Sequence, residues 1–483
     1  MEDVKRETIY EDAESFDEKD NNMISIINKS NLSLSIINSS GISNSNTHNN
    51  TNITNNTIVD NNEKEQKKND IESFRKKEQL TEDISHFLRL HNPIEYITSN
   101  LKTIKSKSSS TKRALSSLIE IQNFQCDVDT IWVIKLSNNG KYLATGGKSG
   151  VLKIWEVLLM KDSVDAYERK NILKYMNYCS EDAYRIYTEH NKDIIDIAWS
   201  KKNDTYLVTV SLDHYAVLYD ITQRDAIAKY NHDSIISCVD FYPNVSNCAF
   251  NCDDDIFVTG AFDRIIRIWN VKEKEEPIMY VNVAEYITTL SFFPNGQFLS
   301  VGSSEGKISI YDCEKQLRYS YSFNCRNKNG KYSNGRKVTD ISFKSDKDNI
   351  AIISTNDSRI RIVDINDGTV IYKMKGHVNE EGMIKADMND KLVISCSEDN
   401  YIYVWSNDDK EVKNYCYEYF KPFDKDKGKV TCSIFSNREI VAEFNKKYEI
   451  ISKDLHIRNI IINASTMGYL QIILNYDTTN INV

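Results

Sequence analysis

A motif of the form S-x-D-x-x-I-x-I-W recurs along most of the chain and constrains its fold more than any other feature. Clear copies are GGKSGVLKIWE, VSLDHYAVLYD, GAFDRIIRIWN, GSSEGKISIYD, STNDSRIRIVD and CSEDNYIYVWS, and NASTMGYLQII is a degenerate seventh. One position near the end of each copy, here called the anchor, aligns them. The anchors are Trp155, Tyr219, Trp269, Tyr311, Val363, Trp405 and Ile473. Units of about 42 residues with insertions are typical of repeat architectures.

Another apolar run with alternating side chains precedes most anchors, as in TIWVIKLS, IIDIAWS and YITTLSFFP. Together with the motif, these runs predict at least three short strands in each unit. One small sheet cannot bury both of its faces, so successive sheets must pack face to face and close into a ring that removes the open edges. The seventh unit lacks a following outer strand, and we expect residues 116–124 to supply it. The domain would then span residues 116–474, followed by a tail at 475–483.

These residues resemble the WD-repeat β-propellers, whose period, four-stranded blade and Trp-Asp ending match the motif. The resemblance implies an all-β fold, a seven-bladed WD-repeat β-propeller with a mostly disordered N-terminal region. It also implies that a turn Asp, an upstream His, a Ser or Thr and the strand Trp share hydrogen bonds inside a blade. The candidates for these structural networks are His190, Ser211 and Asp213 in the second unit, His232, Asp263 and Trp269 in the third, and His377, Ser397, Asp399 and Trp405 in the sixth.

The chain before the repeats has a different composition. Residues 1–79 form an acidic and then Asn-rich tail, whose Asn-rich part lacks aromatic residues, and we expect this tail to be disordered. Residues 80–115 are interpreted as a short helix and a basic linker. The helix rests on apolar residues at helical spacing, which are Leu80, Ile84, Phe87 and Leu88, and it either packs on the globular part or folds on a partner. The linker would meet phosphate or an acidic protein, or remain solvated.

Several classes of function are disfavoured. The chain has no G-x-x-x-x-G-K-[ST] and no H-E-x-x-H, so an enzyme is not expected and no cofactor or metal site is predicted. The net charge of -9 does not favour binding to nucleic acid, which requires a positively charged surface. The ten cysteines form no C-x-x-C pair, and neither a signal peptide nor a membrane-spanning apolar run is found, so a reducing cytoplasmic location is expected.

Longer stretches resemble one group of propellers, the WD-repeat-containing protein 44 family. They include DTIWVIKLSNNGKYLATGGKSGVLKIWEV, HNKDIIDIAWSKKNDTYLVTVSLDHYAVLYDI and VISCSEDNYIYVWS, and the long insertion after the first unit fits as well. The resemblance implies a peripheral endomembrane protein that binds a GTP-loaded Rab GTPase of recycling endosomes and acts in vesicle trafficking. Association with membranes would occur only through partners. The Rab-binding part is expected before the propeller or on its rim, with the helix around Ile84 and Phe87 as a candidate.

Members of that family can begin with an FFAT motif, an acidic stretch that docks on VAP-type receptors of the endoplasmic reticulum. The stretch IYEDAES is similar, with Tyr10 as the aromatic residue and Asp12 and Ala13 as the D-A pair. The surrounding acids would steer it to a basic receptor face. The alternative is a solvated acidic end, because Glu11 and Ser15 stand where an aromatic and an acidic residue are usual.

The family also has a basic approach to the fifth unit. In this chain the corresponding cations are Arg326, Lys328, Lys331, Arg336 and Lys337. They form either a mobile lip that binds an anion, such as a phosphorylated partner or a lipid headgroup, or a charged surface hairpin.

Two other classes of propeller compete with this interpretation. Substrate receptors of cullin ubiquitin ligases usually carry an Arg two residues after the Trp-Asp pair. No Arg stands at the corresponding positions, which are Leu158, Thr222, Lys272, Glu314, Asn366 and Asp408. A propeller associated with RNA or chromatin would bind through Lys102 to Arg113 with a steep salt dependence, which the acidic net charge opposes.

Overall fold

The computed structural model describes the repeats and a short segment before them. The described residues are 101–109, 115, 117–158, 177–245, 255–273, 276–314, 316–327, 333–343, 349–407, 417–448 and 455–478. The predicted disordered tail at 1–79 lies outside these residues.

Within these ranges, thirty strands form seven sheets, which we number as blades 1 to 7 in the order of the repeats. Three strands precede the repeats: β1 (Lys102–Ile104), β2 (Lys107–Ser108) and β3 (Ser117–Gln125). Blade 1 contains β4 (Ile131–Leu136), β5 (Tyr142–Gly147), β6 (Leu152–Glu156) and β7 (Arg185–Tyr187). Blade 2 contains β8 (Ile194–Trp199), β9 (Tyr206–Ser211), β10 (Tyr215–Asp220) and β11 (Ala228–Asn231). Blade 3 contains β12 (Ile236–Phe241), β13 (Ile256–Ala261), β14 (Ile265–Asn270) and β15 (Met279–Asn282).

The later repeats follow the same plan. Blade 4 contains β16 (Ile287–Phe292), β17 (Phe298–Ser303), β18 (Lys307–Asp312) and β19 (Arg318–Asn324). Blade 5 contains β20 (Val338–Phe343), β21 (Ile350–Thr355), β22 (Arg359–Asp364) and β23 (Thr369–Met374). Blade 6 contains β24 (Ala386–Met388), β25 (Leu392–Cys396), β26 (Ile402–Ser406) and β27 (Tyr417–Phe420), and blade 7 contains β28 (Val430–Phe435), β29 (Leu455–Ser465) and β30 (Tyr469–Thr478). A 3-10 turn at Lys425–Lys427 and the helix α1 (Arg438–Tyr448) complete the described elements.

The sheets are antiparallel and close into a ring. The first strand of each blade contacts the first strand of the next, from β4 through β8, β12, β16, β20, β24 and β28 and back to β4. The prediction of a seven-bladed propeller is confirmed. Each anchor lies in the third strand of its blade and packs in the hydrophobic core that this blade shares with the preceding one, as Trp269 does between blades 2 and 3. The fold is therefore stabilised by apolar burial between neighbouring blades.

A bulge lies at the second residue of the innermost strand in six blades, all except blade 6, within the described pairings. Bulges re-aim a side chain out of the regular ladder. In blades 3, 4 and 5 the bulged residue is Ser237, Thr288 or Thr339. Their hydroxyls donate hydrogen bonds of 2.7–2.8 Å to backbone carbonyls of the next blade, at Ile287, Val338 and Ile384 respectively. The bulges thus connect successive blades by polar contacts at the inner edge.

The ring closes through strands from before the repeats. β3 pairs antiparallel with β30, with Glu120 opposite Ile473, and so occupies the outer position expected of residues 116–124. β1 adds to the other edge of β3, and β2 adds to β27 in blade 6. The segment 101–109, interpreted from its charge as a linker, therefore pairs with two blades. Its backbone hydrogen bonds to the outer edges hold it although it has little apolar content.

The insertion between β6 and β7 of blade 1 is fastened to this closing strand. The side chain of Gln122 donates to the carbonyl of Cys179 at 2.8 Å and accepts from the N–H groups of Tyr178 and Cys179 at 3.1 and 3.2 Å. Tyr178 is fully buried, and its hydroxyl lies 2.8 Å from that of Ser436 in blade 7. Helix α1, which the repeat pattern did not predict, buries Ile440 in the same core. The junction between blades 7 and 1 is thus closed by both apolar and polar contacts.

Candidate interaction surfaces

The blade networks were expected to unite a His, a hydroxyl, an Asp and the anchor Trp. In blade 3, the Nε1–H of Trp269 donates to Thr259 Oγ1 at 2.9 Å, and His232 Nε2 lies 2.8 Å from the same oxygen. Burial lowers the pKa of His232 to about 4, so its ring is neutral at pH 7 and Nε2 accepts from the Thr259 hydroxyl. Its Nδ1–H then donates to the carbonyl of Tyr230 at 3.2 Å. The network therefore unites Trp269, Thr259 and His232.

Blade 2 has a related network with a Tyr at the anchor. His190 Nδ1 lies 2.9 Å from Asp213 Oδ2, and Nε2 lies 2.7 Å from Thr209 Oγ1. Burial opposes ionisation of Asp213, but hydrogen bonds from His190 and from the backbone N–H of Asn191 outweigh it, so the pKa of Asp213 lies below its usual value. The hydroxyl in contact with His190 is that of Thr209. Ser211 instead donates to the carbonyl of Lys192 at 3.1 Å.

Sequence reasoning missed Thr209 and Thr259, each in the second strand of its blade. Their signal is a Thr two residues before the Ser or Ala that ends that strand, in VTVS and VTGA. Thr145 has the same place in blade 1 and accepts from the Nε1–H of Trp155 at 3.0 Å.

Blade 6 differs from the expected arrangement, although it has all four residue types. Neither ring nitrogen of His377 has a hydrogen-bond partner among the described residues, and its ring packs against Trp405 at a centroid distance of 5.3 Å. The Nε1–H of Trp405 donates to the carbonyl of Lys375 at 3.2 Å. Ser397 accepts from the N–H of Val378 at 2.9 Å, and Asp399 accepts from the Tyr403 hydroxyl at 2.7 Å. Packing, not a shared polar network, joins His377 to Trp405.

The turn aspartates have a local role in three blades. Asp213, Asp263 and Asp399 each accept a hydrogen bond of 2.9–3.1 Å from the N–H two residues later. The residue between donor and acceptor has a positive φ, as at Arg264 with 64°. Since a non-glycine residue is strained in this conformation, the Asp side chain stabilises the turn.

Two arginines in the third strands take part in ion pairs that the motif did not indicate. Arg267 pairs with Asp263 at 2.7 Å in blade 3. In blade 5, Arg361 and Asp357 form an ion pair whose side chains are 1% and 2% exposed, and Arg361 also donates to Thr355 Oγ1 at 2.6 Å. The signal in the sequence is the Arg two residues before the anchor.

The candidate basic lip is described in part. Arg326 and Arg336 are exposed, whereas Lys337 is half-buried and burial lowers its pKa. Lys328 and Lys331 lie outside the described residues. The candidate FFAT-like residues Tyr10, Asp12 and Ala13 and the candidate helix residues Leu80, Ile84, Phe87 and Leu88 also lie outside them.

The innermost strands line a central channel whose cavity has a volume of about 510 Å³. Its charged lining consists of Asp196, Asp240, Asp340 and Asp387 with Lys135, Lys201 and Lys385. Lys385 in blade 6 donates to Asp196 Oδ1 in blade 2 at 2.6 Å. These blades are not neighbours in the ring, so the ion pair crosses the channel.

Two further aspartates of the channel bind the backbone of the next blade. Asp240 accepts from the N–H of Phe292 at 3.0 Å, and Asp387 accepts from the N–H of Phe435 at 2.6 Å. Burial raises the pKa of both carboxyl groups. Sequence reasoning did not select the channel aspartates, although an Asp within an apolar run is a usable signal, as in IIDIAW for Asp196, ISCVDF for Asp240 and VTDISF for Asp340.

Within the described part of the chain, no helix has the length and hydrophobicity that crossing a membrane requires.

Comparison with known proteins agrees with the fold. The family model described as "WD domain, G-beta repeat" matches residues 119–156, 226–270, 280–312 and 368–406. Each match begins in or near the outer strand of one blade and ends at the third strand of the next. Consecutive repeats therefore share a blade, and the closing strand β3 forms part of the first match.

Three relatives are similar in sequence. WD repeat-containing protein 44 of Xenopus laevis is 27% identical over 321 residues, which cover 58% of this chain and 33% of that protein. The 2-deoxy-glucose resistant protein 2 of Saccharomyces cerevisiae is 24% identical over 352 residues, covering 59% of this chain and 40% of that protein. E3 ubiquitin-protein ligase COP1 of Arabidopsis thaliana is 22% identical over 211 residues, covering 43% and 28%. The matched stretches thus span less than half of each relative, and the chain is a seven-bladed WD-repeat propeller similar to WD repeat-containing protein 44.

Proposed function

We propose that this protein is a non-enzymatic interaction scaffold that a GTP-loaded Rab GTPase recruits to endosomal membranes for vesicle trafficking. The observation that carries the proposal is the similarity to WD repeat-containing protein 44. As stated in the sequence analysis, resemblance to that family implies binding of a GTP-loaded Rab GTPase and a role in vesicle trafficking. Its location would be cytoplasmic, with peripheral membrane association through partners alone.

The propeller is suited to a scaffold because its loops stand on a rigid ring. WD propellers bind proteins, and a surface fixed by packed blades loses little entropy when it binds. The connection between blades 5 and 6 is an example. The carboxylate of Glu398 accepts three backbone N–H groups, those of Glu380, Glu381 and Gly382, at 2.8–2.9 Å. Burial opposes ionisation, but these hydrogen bonds lower the pKa of Glu398, so the loop is held by a charged acceptor at neutral pH.

The proposed Rab contact is the helix predicted around Ile84 and Phe87. These residues precede β1, which pairs with the closing strand of blade 7. A short amphipathic segment gains its helical structure on binding, and its apolar face supplies the contact.

The test is a binding assay with the full chain as bait against purified Rab GTPases loaded with GDP or with a non-hydrolysable GTP analogue. We expect one GTP-loaded Rab to be retained selectively. Ile84→Asp should abolish this binding, and Ser85→Asp is the matched control because it adds the same charge outside the apolar positions. Equal retention of both nucleotide states, or of neither, would contradict the proposal.

A VAP-type receptor is proposed as a second partner, bound through Tyr10, Asp12 and Ala13. Tyr10→Ala should abolish binding of the full chain to a purified VAP receptor domain, whereas Tyr96→Ala, outside the motif, should leave it unchanged. Binding that survives Tyr10→Ala would refute this contact.

The similarity to E3 ubiquitin-protein ligase COP1 supports a second candidate function, an adaptor in a ubiquitin ligase. It predicts direct binding of the full chain to the adaptor subunit of a cullin ligase. Retention of that subunit in place of a Rab would favour this alternative.

A further inference from the structure

The junction between blades 3 and 4 contains a cavity of about 280 Å³. Residues of β15 in blade 3 and of β17, β18 and β19 in blade 4 line it, together with the connection from β15 to β16. Its lining residues all differ from those of the central channel. Pockets that hold a whole small molecule are commonly about 300–1,000 Å³, so this cavity suits a single side chain.

Two rings fill the equivalent place between blades 2 and 3. Tyr230 and His232 pack on the anchor Trp269 there, with centroid distances of 4.9 and 5.3 Å. Both side chains are buried, and the residues are 1% and 3% exposed. Ring packing therefore closes that junction.

Valines occupy the counterpart positions between blades 3 and 4. Val281 corresponds to Tyr230, because each is the third residue of a four-residue outer strand. Val283 corresponds to His232, because the backbone N–H of each donates to the carbonyl of the positive-φ residue in the turn between the second and third strands. Both valines are half-buried and line the cavity. The cavity therefore lies where two rings are missing.

The other residues of the blade 3 network are also replaced in blade 4. Val301 has the place of Thr259, as the fourth residue of the second strand. Ser309 has the place of Arg267, as the third residue of the third strand, and the anchor is Tyr311. These three residues of blade 4 line the cavity. The hydrogen bonds that unite blade 3 are thus absent from this wall, and the wall is mainly apolar.

A carboxylate that lines the cavity has one unpaired oxygen. Glu285 Oε1 lies 3.4 Å from Lys307 Nζ, whereas Oε2 is buried and has no hydrogen-bond partner among the described residues. A shielded acceptor without a donor is costly, and a ligand with a donor would supply what it lacks. Because Lys307 already balances the negative charge, a neutral N–H group suits this oxygen better than a second cation.

Two exposed tyrosines line the same cavity, and both are held by neighbouring side chains. Tyr286 is 54% exposed, and the guanidinium carbon of Arg264 lies 5.8 Å from its ring centroid. Tyr319 is 57% exposed, with its hydroxyl 2.9 Å from Ser322 Oγ and its ring edge-on to Tyr311 at 5.9 Å. Rings held in this way lose little entropy on binding and offer faces and edges to an aromatic ligand.

We propose that the cavity between blades 3 and 4 binds one tryptophan side chain of a partner protein. The indole takes the place of the two missing rings, against Val281 and Val283, and its Nε1–H donates to Glu285 Oε2. Tryptophan matches this lining because it combines a large apolar ring with one donor and no acceptor. It is also a frequent anchor of protein interfaces. The site does not depend on the proposed Rab contact, which precedes the propeller.

The experiment uses the full chain and a pentapeptide with a central 5-fluorotryptophan. The fluorine resonance of the peptide reports binding separately from the five tryptophans of the protein. It should shift with added protein and give a dissociation constant. The same peptide methylated at the indole nitrogen keeps the ring and loses the donor, and it should bind about tenfold more weakly or worse. Equal binding of the two peptides, or binding of free 5-fluoroindole without binding of the peptide, would overturn the proposal.

Two pairs of variants locate the site. Val281→Tyr supplies the ring that Tyr230 provides between blades 2 and 3, and it should fill the cavity and abolish peptide binding. Val370→Tyr is the matched control, because it makes the same change on the exposed outer strand of blade 5.

Glu285→Ala should weaken peptide binding about tenfold or more, since it removes a charged acceptor. Glu305→Ala, in the same blade but outside the cavity, should bind as the wild type does. Thermal unfolding confirms that each variant is folded. Unchanged binding by Glu285→Ala, or equal weakening in Glu285→Ala and Glu305→Ala, would refute the site even if Val281→Tyr did not fold.

Discussion

Lys385 and Asp196 are joined by a hydrogen bond of 2.6 Å across the central channel, although 189 residues separate them in the chain. Their side chains are 28% and 7% exposed. Burial opposes the charge of Lys385, but Asp196 and Asp340 outweigh this, and the pKa of Lys385 lies above its usual value. Lys385 therefore remains charged at neutral pH, and its hydrogen bond to Asp196 ties blade 6 to blade 2, which are not neighbours in the ring.

Replacing Lys385 should therefore destabilise the ring. Lys385→Met leaves Asp196 without its charged donor and should lower the free energy of unfolding by about 1.5–3 kcal/mol. The double variant Asp196→Asn/Lys385→Met should cost less than the sum of the single changes, because each single change already removes the shared interaction. Urea denaturation measures all three. Lys201→Met, which removes a channel lysine that has no ion pair with described residues, should change stability by less than about 0.5 kcal/mol. Additive effects of Lys385 and Asp196 would exclude a direct interaction.

His232 and His377 make a matched pair for substitution. Each ring packs 5.3 Å from its anchor Trp, but of the two only His232 has hydrogen-bond partners among the described residues. His232→Leu leaves the hydroxyl of Thr259 without the acceptor Nε2, and it should lower the free energy of unfolding by about 1–3 kcal/mol. His377→Leu removes no hydrogen bond with described residues and should cost clearly less. Chemical denaturation at pH 7.5 checks the order. A larger loss for His377→Leu would contradict this account of blade 6.

The pH dependence of stability follows from the same residues. Burial, with a contribution from Arg359, lowers the pKa of His377 to about 4, whereas the unfolded chain titrates near 6.5. Between these values the unfolded state binds more protons, so stability rises with pH through this window and is lost as pH falls. Relative to wild type, His377→Leu should gain about 2 kcal/mol between pH 7 and pH 5.

This comparison between variants is needed because other groups act in the opposite direction. The raised pKa of Asp340, about 6, makes its own contribution fall as pH rises through the same range. That contribution is the same in wild type and His377→Leu and cancels in their difference. A difference that does not change with pH would show that His377 is protonated alike in both states.

The repeat pattern predicted the blades well because each one depends on local information. Runs of alternating apolar residues define the strands. A single anchor such as Trp269 identifies the third strand, because its side chain packs between two blades. The repeat pattern did not indicate a role for Thr259, because Thr is common in β-strands. Its hydrogen-bond partners depend on how the strands of the blade pack together. His377 shows the converse, since its blade has every expected residue type but its ring nitrogens have no hydrogen-bond partner in the part of the chain that the structure describes.

The repeat pattern also did not predict how the strands before the repeats pair with the blades. β1 and β2 lack apolar alternation. β1 pairs with β3, which follows it closely in the chain, whereas β2 pairs with β27, more than 300 residues away, and the N–H of Ser109 donates to the carbonyl of Tyr417 beside that pairing. Helix α1 has apolar residues at helical spacing, including Ile440 and Phe444. The repeat pattern does not indicate it, because it is inserted within the seventh repeat and interrupts the period of the strands.

The ion pair in blade 5 should be more important for stability than its counterpart in blade 3. Arg361→Met leaves Asp357 as a buried charge and should cost about 3–5 kcal/mol. Arg267→Met should cost less, because Asp263 is 12% exposed against 2% for Asp357 and so is better solvated. Adding Asp357→Asn to Arg361→Met should restore part of the loss, since it removes the uncompensated charge. Urea denaturation of the three variants gives the comparison, and failure of the double variant to recover stability would argue against a charge effect.

Gln122 should determine how firmly the insertion between β6 and β7 is held on the closing strand. Gln122→Ala removes one donor and one acceptor that serve Tyr178 and Cys179, and it should lower the free energy of unfolding by about 1–3 kcal/mol. The amide hydrogens of Tyr178 and Cys179 should exchange faster, since their acceptor is lost. Hydrogen exchange read by mass spectrometry measures this locally. Asn123→Ala is the control on the same strand. Among the described residues the Asn123 side chain donates to Glu120 Oε2 alone, at 3.1 Å, so this change should leave exchange at the insertion unchanged. Equal exchange rates in wild type and Gln122→Ala would mean that the core around Tyr178, without the amide of Gln122, is sufficient to hold the insertion.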